Sequence, residues 1–278
     1  MVFEYLLYEE QNRVATITLN RPEKLNALND GLKHEIIAAL AQAEGDNDVR
    51  CVLITGAGRA FSSGGDISAP SNGGARASRT LLDWLDHHQT SDAQYASIRD
   101  LSKPMIGVIN GICYGAGLNL AVQCDFLIAS DQARFCFVEA RMGNSGQSHV
   151  AYHVGFQWAK RLFFTGEIID ARRAMAIGLV TEVLPHEQLS PKAQELGERI
   201  AAMPRMGVRF NKMTIDGVMH AMGLETAHRY YQAVTTITDY LSKDAEAPDG
   251  RSLREIREQE GLREFLRARN TFFDRPWP

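Results

Sequence analysis

The sequence predicts an α/β fold with an all-helical last third, on three observations. Short apolar runs suited to strands (Val14 to Leu19, Cys51 to Thr55, Met105 to Ile109) alternate with stretches of helical periodicity. Val49 to Ile54 and Met105 to Ile109 are apolar almost throughout, as expected of parallel strands covered on both faces. After Leu184 the strand signals stop.

In chain order, Val14 to Leu19 reads as the first strand, and Leu32 to Ala43 carries apolar residues at helical spacing. The strand at Cys51 to Thr55 follows. SAPSNGGARAS, Ser68 to Ser78, reads as a mobile loop that feeds a helix from about Thr80 to Leu101. Pro104 introduces the next strand. Helical patterns then cover Gln188 to Ala202, Pro204 to Gly217, Leu224 to Leu241 and Leu253 to Arg267. The organisation expected is a core over residues 1–200 and a helical region over 201–278.

Apolar residues make up 45% of the 278 and charged residues 23%, the composition of a globular chain. Thirty basic residues against 34 acidic leave a net charge of −4 with no basic block, so nucleic acid is not an expected partner. The N-terminus MVFEYLLYEEQNR lacks a cationic leader region and no run of 18 apolar residues occurs, which predicts a cytoplasmic protein without a membrane span. Cys51, Cys113, Cys124 and Cys136 sit in apolar segments with no C-x-x-C pair, so all four are expected to be buried, reduced and structural, and no metal site is expected.

The glycine-rich segments carry the chemical information. ITGAGRAF (Ile54 to Phe61) follows a strand, but Phe61 occupies the third glycine position of a dinucleotide fingerprint. In NGICYGAGLNLAVQCD (Asn110 to Asp125), Leu120 stands at the corresponding place, and no Gly-Lys-Ser/Thr exists for a phosphate loop. GNSGQ has Gln147 where a nucleophile elbow closes on glycine. The two segments make better sense together. Ser63-Gly64-Gly65-Asp66 and Tyr114-Gly115-Ala116-Gly117 each follow a strand and open towards a helix, and bare turns of this kind expose backbone N–H groups to a developing anion. Two such donors form an oxyanion hole.

With those turns in place, the chain resembles the crotonase, or enoyl-CoA hydratase/isomerase, superfamily almost from end to end. The resemblance rests on NRPEKLNAL (Asn20 to Leu28), AFSSGGDI (Ala60 to Ile67), KPMIGVINGICYGAGLNLAVQCDFLIAS (Lys103 to Ser130), ARFCFVEARMG (Ala133 to Gly143), FFTGEIIDARRAMAIGLVTEVL (Phe163 to Leu184) and EGLREFLRARNTFF (Glu260 to Phe273). It implies a spiral of ββα turns, a C-terminal helical trimerisation region and a homotrimer or dimer of trimers. It also implies an acyl-CoA thioester as substrate, with coenzyme A entering as part of that substrate and no permanently bound cofactor. By motif position, the backbone N–H groups of Ser63 and Ala116 would hold the thioester oxygen. Lys24, Leu25, Asp66 and Ile67 fall where the family lines its CoA site, and Phe272 where the tail contributes to it.

Hydratases of the family use two glutamates twenty residues apart. Here Asn119 occupies the first position and Glu139 the second (139 − 119 = 20), so one carboxylate is replaced by an amide that does not exchange protons near neutral pH. A single glutamate in an apolar setting, FCFVEA, still suffices to move a proton between two carbons of an enolate. The family's Δ3,Δ2-enoyl-CoA isomerases and hydroxycinnamoyl-CoA hydratase-lyases are similar in keeping only the second glutamate. Proton transfer on an enoyl-CoA is the first reading. The others are thioester or ring-cleaving C–C hydrolysis, hydratase-lyase chemistry, and a non-catalytic CoA-binding module.

Four further features stand between structural and functional readings. Gln147 lies near where some members of the family carry an Asp. His149 and His153 share a helix face but lack a third metal ligand. Tyr230 and Tyr231 divide between pocket and interface, and His87-His88 between a solvated face and a pocket lining. Glu139 itself has a structural alternative, an ion pair with Arg141 or Arg134.

Overall fold

The chain begins with a hairpin. β1 (Leu6–Gln11) pairs antiparallel with β2 (Val14–Leu19) across Asn12 and Arg13, whose φ of +51° and +68° suit a two-residue turn of the primed type. Only Leu6 of β1 is buried, and Glu9 and Glu10 mark it as a protected edge. This edge character explains why alternation alone does not reveal the strand. The structure is a computed structural model that describes residues 2–67, 80–242 and 245–273. The loop expected at Ser68 to Ser78 lies outside the described residues.

Asn29 caps α1 (Asp30–Gly45) by accepting from the Leu32 N–H at 2.8 Å, and Leu32, Ile36, Ala39, Leu40 and Ala43 form its buried stripe. There follow β3 (Cys51–Gly56), β4 (Ala60–Ser62), α2 (Leu81–Arg99), β5 (Met105–Ile109), β6 (Ile112–Tyr114), α3 (Ala116–Ala121), β7 (Phe126–Ser130) and β8 (Arg134–Cys136). A 3-10 turn (Val138–Met142) leads to α4 (Val150–Thr165), which is interrupted at Gly155, φ +73°. Then come β9 (Ile169–Asp170), α5 (Ala171–Ala176), β10 (Glu182–Leu184), α6 (His186–Ala202), α7 (Arg205–Ala221) and α8 (Leu224–Leu241). The last element, expected as one helix, is α9 (Leu253–Glu255), a π turn (Ile256–Glu260) and α10 (Gly261–Asn270). Gly261, at φ +87°, is what divides it.

Two sheets result. The larger has the order β1-β2-β3-β5-β7-β10 and is parallel from β2 onwards; the smaller has the order β4-β6-β8-β9. The chain visits them in turn: β3, β4 and α2, then β5, β6 and α3, then β7 and β8. This is the ββα spiral that the resemblance implies. From β3 to β8 it sends every second strand to the second sheet, so β3, β5 and β7 become neighbours in the larger one.

α6 covers the larger sheet: Leu189, Ala193 and Ala201 pack with Val14, Cys51, Leu53, Ile106, Val108 and Ile128. Each fully buried Val, Leu or Ile contributes about 1.5–3 kcal/mol. The approach is close at Gly197, where an added Cβ would sit 3.0 Å from a Val14 methyl. Strands buried on both faces explain the continuous apolar runs in the sequence.

The contacts divide the chain into two compact units that are discontinuous in sequence. Both sheets, α6 and α7 belong to the first (Met1–Gly65, Ala93–Phe135, Ile169–Leu224). The second (Asp66–Asp92, Cys136–Ile168, Glu225–Pro278) holds the 3-10 turn, α4 and the last helices, with its own cluster of Ala247, Leu253, Ile256 and Ala268. Residues 201–224 thus group with the first unit and 225–278 with the second. All four cysteines are buried and free. No described helix is long and apolar enough to cross a membrane.

Candidate active site

In the first unit the site is built around Asn26, which is fully buried with φ +54°. Its Oδ1 accepts from the Arg21 N–H at 2.8 Å, and its Nδ2 donates to the Ala57 and Ala60 carbonyls at 2.9 and 2.7 Å. The amide therefore ties the Arg21 to Leu28 segment to the chain around β4. Lys24 is exposed and Leu25 half-buried. The Ser63 N–H donates to the Leu25 carbonyl at 2.9 Å, and the Leu28 N–H to the Gly64 carbonyl at 2.8 Å.

The first glycine turn meets the second directly. Gly64 has φ +105°, and a Cβ built there would lie 3.1 Å from the Tyr114 oxygen and 3.4 Å from the Ala116 nitrogen. Gly115, with φ +51° and ψ −128°, holds a conformation open to glycine, and leads into α3. A Cβ on Gly117 would stand 2.6 Å from the Ser62 Cβ, so only a bare residue permits this crossing. Ala116 is the first residue of α3, and its N–H has no acceptor within the helix.

This geometry corrects one detail of the motif reading. The Ser63 N–H is engaged by Leu25 inside the fold, so it is not the open donor of its turn. Gly65 is exposed at the next position but one. Asn119 is buried at 8% exposure, its backbone N–H donates to Gly115 at 2.9 Å, and its carbonyl accepts from Gln123 Nε2 at 2.9 Å. Arg99 in turn donates to Gln123 Oε1 at 2.9 Å.

In the second unit, Glu139 is the second residue of the 3-10 turn and half-buried. Its carbonyl accepts from the Asn144 N–H at 3.1 Å, and Gly143, φ +74°, closes the turn. Arg141 is buried. Its guanidinium donates to the Gly166 carbonyl at 2.9 and 2.7 Å and to Asn270 Oδ1 at 3.0 Å, and lies over the Phe273 ring at 4.6 Å. Arg134 is bonded to the Asp131 and Ala133 carbonyls.

Asp66 is half-buried, Ile67 is 37% exposed, and the Ile67 carbonyl accepts from Arg257 at 2.8 Å. Phe272 is 62% exposed beside Phe273. Gln147 and His149 are buried, and the His149 ring stacks on His153 at 5.1 Å. Among the described residues no three His, Cys, Asp or Glu side chains are grouped to hold a metal. Tyr230 is exposed, whereas Tyr231 is half-buried against His228, 6.1 Å between rings. His88 is not solvated: its Nε2 is 2.8 Å from Asp239, and buried Trp84 stacks on it at 5.9 Å. Burial pushes the Cys51 thiol up to about 12 and the Cys136 thiol up to about 11.

Three residues escape the sequence reading. Asn26 sits unremarked in a motif read for its neighbours. Ser62 matters only as the surface against which Gly117 closes. Asp239 lies far from His88 in sequence, and no local spacing pairs them.

The family model for enoyl-CoA hydratase/isomerase matches residues 9–273. A probable enoyl-CoA hydratase of Rhizobium meliloti is 32% identical over 247 residues, covering 86% of this chain and 93% of the relative. A crotonyl-CoA hydratase of Syntrophomonas wolfei is 30% identical, covering 98% of this chain and 99% of the relative. The crystal structure of an enoyl-CoA hydratase/isomerase from Xanthobacter autotrophicus superposes with a TM-score of 0.89 at 30% identity, covering 99% of this chain and 100% of that one. With paired glycine turns, a two-sheet spiral and matches over nearly its full length, the chain belongs to the enoyl-CoA hydratase/isomerase family.

Proposed function

We propose that this protein moves protons on an enoyl-CoA thioester through an enolate, using Glu139 as the single acid/base carboxylate. The supporting observation is the meeting of the Gly64 and Ala116 turns in the first unit. An N–H of the Ser63–Gly65 turn and the Ala116 N–H stabilise the enolate oxygen, and this lowers the cost of removing a carbon-bound proton. Because the Ser63 N–H is engaged by Leu25, Gly65 supplies the first of these donors. Glu139 takes the proton and returns it.

Asn119 holds a water or the substrate by hydrogen bonds and exchanges no proton itself. Lys24, Leu25, Asp66, Ile67 and Phe272 contact the CoA portion, and no permanently bound cofactor takes part. A homotrimer or a dimer of trimers is the proposed assembly. Its support is the apolar face of α7, where Met206, Phe210 and Met213 are 52%, 53% and 57% exposed at helical spacing and no residue of the helix is buried.

Proton NMR of crotonyl-CoA, a 3-enoyl-CoA and a cinnamoyl-type CoA in D2O tests the reading. Deuterium uptake with a shifted or hydrated double bond supports it and distinguishes isomerisation from hydration. Release of free CoA thiol assigns a hydrolase instead, and loss of an aldehyde fragment a hydratase-lyase. Binding without exchange or turnover assigns a non-catalytic CoA module.

A further inference from the structure

Towards the opposite end of the parallel strands from the glycine turns, the first unit has an open, shallow surface pocket. Arg50 and Lys103 line it just before β3 and β5 begin, whereas the glycine turns come after β4 and β6, the second-sheet strands that follow the far ends of β3 and β5. β3 and β5 themselves span roughly 17–20 Å between those ends. The thioester and this pocket are therefore distinct.

The pocket concentrates positive charge. Arg50, Lys103, Arg205 and Arg209 line it, and no carboxylate does. Lys103 is 5% exposed and donates to the Ala43 and Asp46 carbonyls. Arg50 Nε is buried with no hydrogen-bond partner among the described residues. Arg205 reaches Asn47 Oδ1 at 3.3 Å, and Arg209 is exposed. Of the acids nearby, Glu44 accepts from the lining residue Ser102, and the Asp46 side chain accepts from the Asp48 N–H at 2.7 Å, so their charges partly offset the cations. Burial lowers the Lys103 pKa most, Arg205 and Arg50 push the same way, and Glu44 and Asp46 oppose them. The first turn of α7, a helix of 17 residues, also borders the pocket, and its N-cap Pro204 supplies no side-chain cap.

We propose that this pocket binds a phosphate group, as the free anion or as a phosphate monoester. Three arginines and an uncapped helix start line it from several directions, with the buried Lys103 ammonium adding positive charge beside them, which suits a tetrahedral dianion better than a planar carboxylate. The anion bridges the starts of β3 and β5 to the turn between α6 and α7. Binding at this site therefore raises thermal stability with phosphate concentration.

The test is calorimetric titration of the full chain with inorganic phosphate at constant ionic strength, without any thioester, so its result stands apart from the proposed activity. Saturable binding at one site per chain is expected. The exposed double variant Arg205→Ala/Arg209→Ala should weaken it at least tenfold, with an unchanged melting temperature in phosphate-free buffer. Arg209→Glu alone gives an independent second reading and should also abolish saturation. Displacement of phosphate by adenosine 3′-monophosphate but not by adenosine assigns a monoester ligand, and displacement by neither assigns the free anion. No saturation at millimolar phosphate, equal affinity in the variants, or displacement by adenosine overturns the proposal.

Discussion

The paired glycine turns of the first unit and the Glu139 segment of the second carry their proposed chemistry in different atoms. In the turns the working groups are backbone N–H, and buried side chains such as Asn26 and Ser62 serve to fix the main chain. In the Glu139 segment the working group is a side-chain end on a short 3-10 turn, and the main chain is closed by Gly143. The first region should therefore tolerate changes of exposed side chains and fail when its backbone is disturbed. The second should keep its fold and lose its chemistry when one side chain changes.

The largest expected effect separates the regions most sharply. Glu139→Gln should lower kcat by about 10²–10⁴-fold, the range of a positioned acid/base group, with the melting temperature and CoA-ester binding little changed. Steady-state kinetics beside a thermal melt checks this. Next, Asn26→Ala leaves the Arg21 N–H and the Ala57 and Ala60 carbonyls without their partner, at a cost of about 2–3 kcal/mol in urea unfolding. Gly117→Ala forces a Cβ to within 2.6 Å of Ser62 and should cost about 1–3 kcal/mol, with a matching fall in melting temperature.

Ser63→Ala should alter stability by no more than about 0.5 kcal/mol and leave kcat/KM nearly unchanged, because the Ser63 backbone N–H makes its bond to Leu25 in either case. A large loss of activity would show that the turn works through its side chain and would remove the contrast between the regions. The smallest effect concerns the thiols. Raised to about 12 and about 11 by burial, Cys51 and Cys136 stay protonated at pH 8 and should resist a disulfide reagent in the native protein, then react on denaturation. Because the folded values are raised, the stability from these thiols is complete below pH 9 and declines as the pH climbs towards 11 and 12.

Much of the fold was legible because its strands are buried on both faces. Val14–Leu19 and Met105–Ile109 appear in the structure with the bounds their apolar runs suggest, as does the helix Leu224–Leu241. β1 was hidden by its edge position, with charged side chains where alternation would show. The short strands of the second sheet, such as Ile112–Tyr114 and Arg134–Cys136, offer three residues each and too little pattern to read. At the site, the glycines pointed to a backbone anion hole, since bare turns have a local signature. Which N–H is open did not follow from the motif, because Leu25 engages Ser63 from a segment almost forty residues earlier. The His88–Asp239 pair, likewise, is a product of tertiary packing between α2 and α8.

The most direct test of the account is deuterium exchange at the carbon next to the thioester, followed by proton NMR in D2O for the wild type and Glu139→Gln with the same bound CoA esters. The account predicts exchange in the wild type and its loss in the variant, with binding retained in both. Exchange that persists in Glu139→Gln would contradict the single-glutamate mechanism.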